Sequence, residues 1–354
     1  MVRYHLPVLF HKSYIKLSEM EHKYNYVIFN CPETKGLRMD NPDGYYSICL
    51  EDLKQISNVM VINYPMENRN IFLKFIYKLV ASLRFRTKQS KWSVYLMRLL
   101  YPLYYPKLLK NDKEYCFVFI SYIWDIKFVY YLKNKYPNCK IVMALRDLVK
   151  TKTFYPELRD SGLIDLWMSY DEGDCSEYNM KYFSEFESKI KVSNDPSIQS
   201  SDVFFTGRAK QRLPQLIECY DHLSSLGLNC LFIILDAPEN QKVEREGIIY
   251  TNTYMSYRKM LEYSIRSRCL LDVNQEGATG YTSRFLEAVI YNKLLISNTL
   301  GIKGHSLYDA RYIKVFNDIK EVDKSFFDTK KTVEFNYNNE FSPVAFLEVL
   351  NNSL

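Results

Sequence analysis

CLLDVNQEGATGYTSRFLEAVIYNKLLISN, residues 269–298, sets an apolar strand, a small polar loop, an amphipathic helix and a second apolar strand in one short unit. Residues 269–273 read as a buried strand, Gly277 and Gly280 let backbone approach a ligand closely, and Thr282 to Arg284 open a helix. Unpaired N–H groups at a helix start attract anions, so the unit has the outline of a phosphate-binding pocket. Arg284 and Glu287 stand three apart on one helical face, a cation for phosphate and a carboxylate able to accept from ribose hydroxyls. Strand, turn and helix also follow one another in α/β proteins that bind nothing, so a second element is needed.

It lies upstream. In DVFFTGRAKQRLPQLIECYDHLSSLGLNCLFIIL, residues 202–235, a strand at 203–206 runs into Gly207, Arg208, Lys210 and Arg212, followed by a helix and a strand at 230–235. Two cation-bearing loops then follow two parallel strands. In an open parallel sheet such loops gather at the carboxyl edge, where both can reach one diphosphate. Basic residues beside a turn are commonly just solvated, so it is the pairing of the two loops that carries the argument.

With those residues in place, the chain resembles the sugar-nucleotide glycosyltransferases of the GT-B type, particularly bacterial enzymes that build capsule, O-antigen and related surface polysaccharides. The resemblance spans residues 164–316 and rests on LWMSYDEGDCSEYNMKYF (166–183), FFTGRAKQRL (204–213) and QEGATGYTSRFLEAVIYNKLLISN (275–298). It implies an α/β fold of two Rossmann-like domains facing each other across a cleft, with the donor nucleotide held mainly by the C-terminal one. By that likeness Gly207, Arg208, Lys210, Gly280, Thr282 and Arg284 face the diphosphate, and Glu287 meets the ribose. Gln275, Glu276 and Asn274 have the chemistry to bind sugar hydroxyls, and equally to cap their own loop. Many retaining members of the fold carry two glutamates separated by seven residues. Counting back from Glu287, the first falls on Thr279, and Glu276 is out of register. Retention is unsupported, and inversion of the anomeric centre is the expectation.

A chain of 354 residues fits two domains of ordinary size, and an apolar fraction of 47% fills two cores. The eight cysteines form no CxxC pair, and several fall inside expected strands or helices, so they read as small core residues in a reducing compartment. Five scattered histidines give no metal-ligand spacing, and no metal is expected. The opening MVRYHLPVLFHKSYIKL is an apolar patch broken by His5 and His11, without the small-residue cleavage site of a secretory signal. No run reaches the roughly twenty apolar residues that cross a bilayer. A cytoplasmic protein is expected.

Short buried strands at 26–30, 59–63, 116–121 and 140–145, each followed by a turn or helix signal, give the first half an α/β rhythm. A helix at 125–135 ends before Pro137, and a strand at 163–169 closes this half. The serine-rich stretch 193–201 reads as a connector and sets the boundary near Ile198, between an acceptor-binding domain at 1–197 and a nucleotide-sugar domain at 198–354. The second half repeats the rhythm with strands at 203–206, 230–235, 248–250, 269–273, 294–297 and 312–316, and helices at 212–226, 255–265 and 282–292. A last helix at 344–350 would, by analogy with the GT-B type, pack back across the first domain.

Between residues 69 and 110 stand ten lysines and arginines with no acidic residue, interleaved with Ile71, Phe72, Phe75, Ile76, Trp92, Tyr95 and several leucines. One or two helices with an apolar and a cationic face are expected there. Such helices lie in the plane of an anionic membrane, each nearby cation contributing about 1 kcal/mol. The plainer account packs the apolar face on the first sheet and leaves the charges solvated. Nucleic acid is not the expected partner, because no nucleic-acid-binding motif is present and the net charge is only +6.

Sugar transfer from a nucleoside diphosphate needs a stabilised leaving group and a base for the acceptor hydroxyl. Arg208, Lys210, Arg284 and the helix start at 280–283 can supply the first without a metal. The base should come from a loop after a first-domain strand, which leaves Glu33, Asp147 and Asp171, each of which is also an ordinary surface or capping carboxylate. Asp147 is favoured because it follows the strand 140–145, and Arg146 beside it is a candidate for an acceptor phosphate. The expected partners are a nucleotide-sugar donor, a glycan or polyprenyl-diphosphate-linked acceptor, and the inner face of the cytoplasmic membrane. Rival readings are a nucleotide-sugar epimerase and a membrane-bound nucleotide-sugar-binding protein without catalysis.

Overall fold

Runs such as YCFVFI, KIVMAL and CLFIIL are apolar almost throughout, and strands of that kind are stable only with both faces covered, as in a parallel sheet under helices. The computed structural model, which describes residues 23–30, 43–62, 71, 75, 112–123, 126–152, 155–193, 195–274, 281–328 and 332–354, builds two such sheets. Glu33, Gln275, Glu276, Gly280 and most of the basic segment 69–110 lie outside the described residues.

The first sheet consists of β1 (Asn25–Phe29), β2 (Val59–Ile62), β3 (Tyr115–Ile120), β4 (Lys140–Leu145), β5 (Leu166–Ser169) and β6 (Lys181–Tyr182), in the order β2-β1-β3-β4-β5-β6. All its pairings are parallel. Its helices include α1 (Tyr45–Cys49), α2 (Ile126–Lys135), α3 (Tyr155–Asp160) and α4 (Glu172–Tyr178). The strand expected at 163–169 begins only at Leu166, because the Asp165 carboxylate turns back to accept from Ile141 N at 2.7 Å and Lys133 Nζ at 2.6 Å.

The second sheet consists of β7 (Ser201–Arg208), β8 (Cys230–Leu235), β9 (Ile248–Thr251), β10 (Ser267–Asp272), β11 (Leu294–Ser297) and β12 (Ile313–Val315), with α5 (Leu213–Ser225), α6 (Tyr257–Arg266) and α7 (Ser283–Ile290) between strands. Its order, β12-β11-β10-β7-β8-β9, is the doubly wound arrangement in which the chain runs outward from a central strand and returns to run the other way. The loops after β7 and β10 therefore diverge and leave a crevice at their carboxyl ends. The chain is α/β with two Rossmann-like domains, the GT-B arrangement implied by the resemblance.

Contacts on both sides of the connection join the halves. The rings of Tyr45 on α1 and Tyr257 on α6 meet edge to face at 4.9 Å, Ile48 packs on Leu261, and Arg258 Nε donates to Asp43 at 2.6 Å. The last helix, α8 (Pro343–Ser353), returns to the first sheet and buries Val344, Phe346, Leu347 and Leu350 against Tyr26, Ile28 and Val118. Each such side chain contributes about 1.5–3 kcal/mol when fully buried. Ser342 caps the helix and also donates to Asp52 of the first half at 2.7 Å.

Candidate functional site

The crevice of the second sheet opens between β7 and β10. The strand expected at 203–206 runs on to Arg208, so Gly207 and Arg208 are its final residues, paired with Ile234 and Leu235 of β8. Arg208 leaves the sheet edge with its side chain 38% exposed, ion-paired to Asp236 at 3.4 Å and with its guanidinium 5.1 Å from the ring of Tyr254. Tyr254 in turn donates to Asp236 at 3.2 Å. Lys210 follows in the left-handed region with φ 46°, an uncommon setting for a residue with a side chain. Burial, with Arg212 and Arg208 alongside, holds its pKa below the usual lysine range, while Asp147 of the first domain pulls the other way.

Arg212 joins the two loops. Its Nη1 donates to the carbonyl of Val273 just past β10, while Nε and Nη2 reach the carbonyl of Arg208 at 3.3 and 3.2 Å. Gly207 makes room for this fold-back: a Cβ there would lie 2.9 Å from Arg212 Nη2 and 3.3 Å from Phe205 Cζ. In the sequence Arg212 is one more loop cation; only the return of β10 beside β7 gives its guanidinium a carbonyl to bind.

Across the crevice, Thr282 is the N-cap residue of α7 and its hydroxyl stands beside the buried carboxyl of Asp272. Burial raises Asp272, against hydrogen bonds that include Ser297 Oγ at 2.8 Å. Arg284 and Glu287 turn away from the crevice mouth. Arg284 is 9% exposed and meets Glu287 and the sulfur of Met260; burial holds the Arg212 pKa below the usual arginine range, against Asp272, with Arg284 adding to it. Glu287 is fully buried and also accepts from Tyr257 OH at 2.9 Å and Ser264 Oγ at 3.3 Å. Arg212 thus ties the β7 and β10 loops together, Arg208 pairs with Asp236 after β8, and Arg284 and Glu287 lie buried within α7.

Glu187, in the segment that links the domains, faces the same interior pair. It is fully buried, neither of its oxygens has a hydrogen-bond partner, and burial together with Glu287 raises its carboxyl well above the usual range. In sequence the stretch FSEFESKIKV reads as surface, and no local signal distinguishes Glu187 from Glu185.

On the first-domain side, Arg146 after β4 is buried. Its Nε donates to Glu185, and its Nη2 donates to Tyr45 OH at 2.7 Å and to the carbonyl of Phe186 at 3.0 Å. Asp147 is half exposed and accepts from Lys152 Nζ at 2.6 Å. Asp171 caps α4 by accepting from Asp174 N at 2.9 Å. A cavity of about 400 Å³ lies between the domains, walled by Arg146, Leu148, Tyr170 and Asp171 on one side and Asn274, Tyr281 and Thr282 on the other. Asp171 is in its wall, and Asp147 lies between two wall residues.

No protein-family pattern and no curated protein sequence matches the chain. Solved structures are similar in shape. A chain of the Glycosylation Associate Protein (Gap123) complex from Streptococcus agalactiae shares 11% identity, covering 73% of this chain and 55% of that one, with a TM-score of 0.42. The UDP-forming alpha,alpha-trehalose-phosphate synthase of Burkholderia vietnamiensis shares 11% identity, covering 94% and 98%, with a TM-score of 0.48. The lipopolysaccharide outer core galactosyltransferase WaaB in its apo form shares 12% identity, covering 93% and 98%, with a TM-score of 0.42. The present chain therefore spans about half the length of the first of these. The fold class follows from the strand orders themselves.

Proposed function

We propose that the protein is a glycosyltransferase that moves a sugar from a nucleoside-diphosphate sugar to a glycan or polyprenyl-diphosphate-linked acceptor in cell-surface polysaccharide synthesis, with inversion and without a metal. The observation that carries the reading is the Arg212 tie between the β7 and β10 loops at the point where the sheet reverses its winding. It supports one diphosphate site with Arg208 and Lys210 on one wall and the start of α7 on the other. Those two cations would take the charge that develops on the leaving diphosphate, the work that a divalent ion does in other sites. Asp147, half exposed just after β4 and lying in sequence between two residues that wall the interdomain cavity, is the proposed base.

A nucleotide-sugar-binding protein without catalysis is the second reading, favoured by the 2.6 Å bond that ties Asp147 to Lys152. Calorimetry against UDP, GDP and dTDP tests the site that both readings share, and failure of all three to bind ends both. Nucleotide release from a panel of donor sugars, with and without lipid-linked acceptor, then separates them: release belongs to the enzyme, binding without release to the second reading.

The basic segment is proposed to dock the first domain on the inner face of the cytoplasmic membrane. Ile71 and Phe75, four apart and both helical, are 85% and 63% exposed, which favours an outward apolar face over packing on the sheet. Co-sedimentation with liposomes should rise with the fraction of anionic lipid; binding indifferent to that fraction removes this part of the proposal.

A further inference from the structure

The interdomain cavity differs in charge from the crevice beside it. Its ionisable walls are Arg146, Lys150, Asp171, Asp174, Glu177 and Glu185, four carboxylates against two cations. One of the cations, Arg146, is already matched by Glu185. Arg208, Lys210 and Arg212 are not among the lining residues. All but three of those residues come from the first domain, the half opposite the proposed diphosphate site.

Carboxylates only accept hydrogen bonds, so such a wall suits a ligand rich in O–H donors and repels a phosphate. Tyr170, Tyr178 and Tyr281 add aromatic rings to the lining, flat surfaces against which the C–H faces of a sugar pack. Arg146 offers an anion no open charge: it is 6% exposed, its Nε donates to Glu185, and its Nη2 donates to Tyr45 OH and to the carbonyl of Phe186.

We infer that the acceptor group bound in this cavity is an uncharged sugar, engaged through its hydroxyls, and that any phosphate of the acceptor stays outside. This rests on the glycosyltransferase reading and narrows it. For a lipid-linked acceptor it assigns the cavity to the terminal sugar and keeps the polyprenyl diphosphate away from it.

The test uses the full chain saturated with whichever of UDP, GDP or dTDP binds by calorimetry. Saturation-transfer NMR titrations then compare the methyl glycosides of glucose, galactose, mannose and N-acetylglucosamine with the corresponding hexose 6-phosphates. At least one neutral glycoside should bind tenfold or more tightly than its phosphorylated counterpart. Glu177→Lys, on the exposed face of α4, should keep the fold and the nucleotide affinity while narrowing or reversing that ratio. Equal or tighter binding of the phosphates, no binding of either class, or a ratio indifferent to Glu177→Lys overturns the inference and leaves the nucleotide site standing. Failure of every nucleotide to bind overturns the parent reading instead.

Discussion

The two sheets present the same kind of edge and use its cations in opposite ways. After β7, Arg208 keeps a side chain 38% exposed and a 3.4 Å pair with Asp236. After β4, Arg146 has a side chain 2% exposed and is bound by Glu185, Tyr45 and Phe186. An exposed pair of the first kind is worth about 0–1 kcal/mol, so a ligand can take over the cation at little cost. Losing one member of a buried pair leaves an uncompensated charge and costs about 3–5 kcal/mol. In sequence, RD at 146–147 and GR at 207–208 look alike. Burial makes one cation a structural tie and leaves the other open to a ligand.

That contrast can be broken in several places. The largest change is expected from Asp147→Asn, which should lower turnover by about 10²–10⁴-fold, the usual contribution of a general base, with nucleotide affinity kept. Turnover near the wild-type level would remove Asp147 from the reaction. Arg146→Ala should cost about 3–5 kcal/mol in urea unfolding, and adding Glu185→Ala should restore part of it. A loss below about 1 kcal/mol would mean that the buried tie is no tie.

Arg208→Ala should do the reverse, leaving stability within about 0.5 kcal/mol and weakening the nucleoside diphosphate about 10- to 100-fold, the scale of a charge-assisted hydrogen bond. Unchanged affinity by calorimetry would detach Arg208 from the diphosphate.

The smallest effect concerns Glu187, whose carboxyl is held well above the usual range by burial and by Glu287. The folded protein keeps a proton there that the unfolded chain has released, so stability falls as pH rises from the ordinary carboxylate range towards the folded pKa. Glu187→Gln should remove that decline, because an amide has no proton to release, so its advantage over the wild type should grow as pH rises. A variant whose unfolding midpoint declines with pH as the wild type does would contradict this.

Most of the architecture is legible in the chain because its strands announce themselves: CLFIIL at β8 and LLIS at β11 fall where apolar runs and flanking turns put them. The parallel sheet that gathers the β7 and β10 loops at one edge is legible for the same reason, as strands alternate with helices. The hidden parts depend on partners far away in the sequence. Arg212 reaches Val273, 61 residues on, and Arg146 meets Glu185, 39 residues on. Glu187 sits in a stretch as polar as any surface loop and is buried only because two domains close on it. No periodicity encodes such closure, since it belongs to neither domain alone.

The position of α8 bears on how the protein is made. The first sheet has one face completed by Val344, Phe346, Leu347 and Leu350, residues that leave the ribosome after both sheets have been synthesised. Nascent chains fold from the N-terminal end as they emerge, but here the first sheet carries a greasy, unfinished flank until the second sheet has been made. Tyr26, Ile28 and Val118 on that flank are natural contacts for a chaperone during the wait.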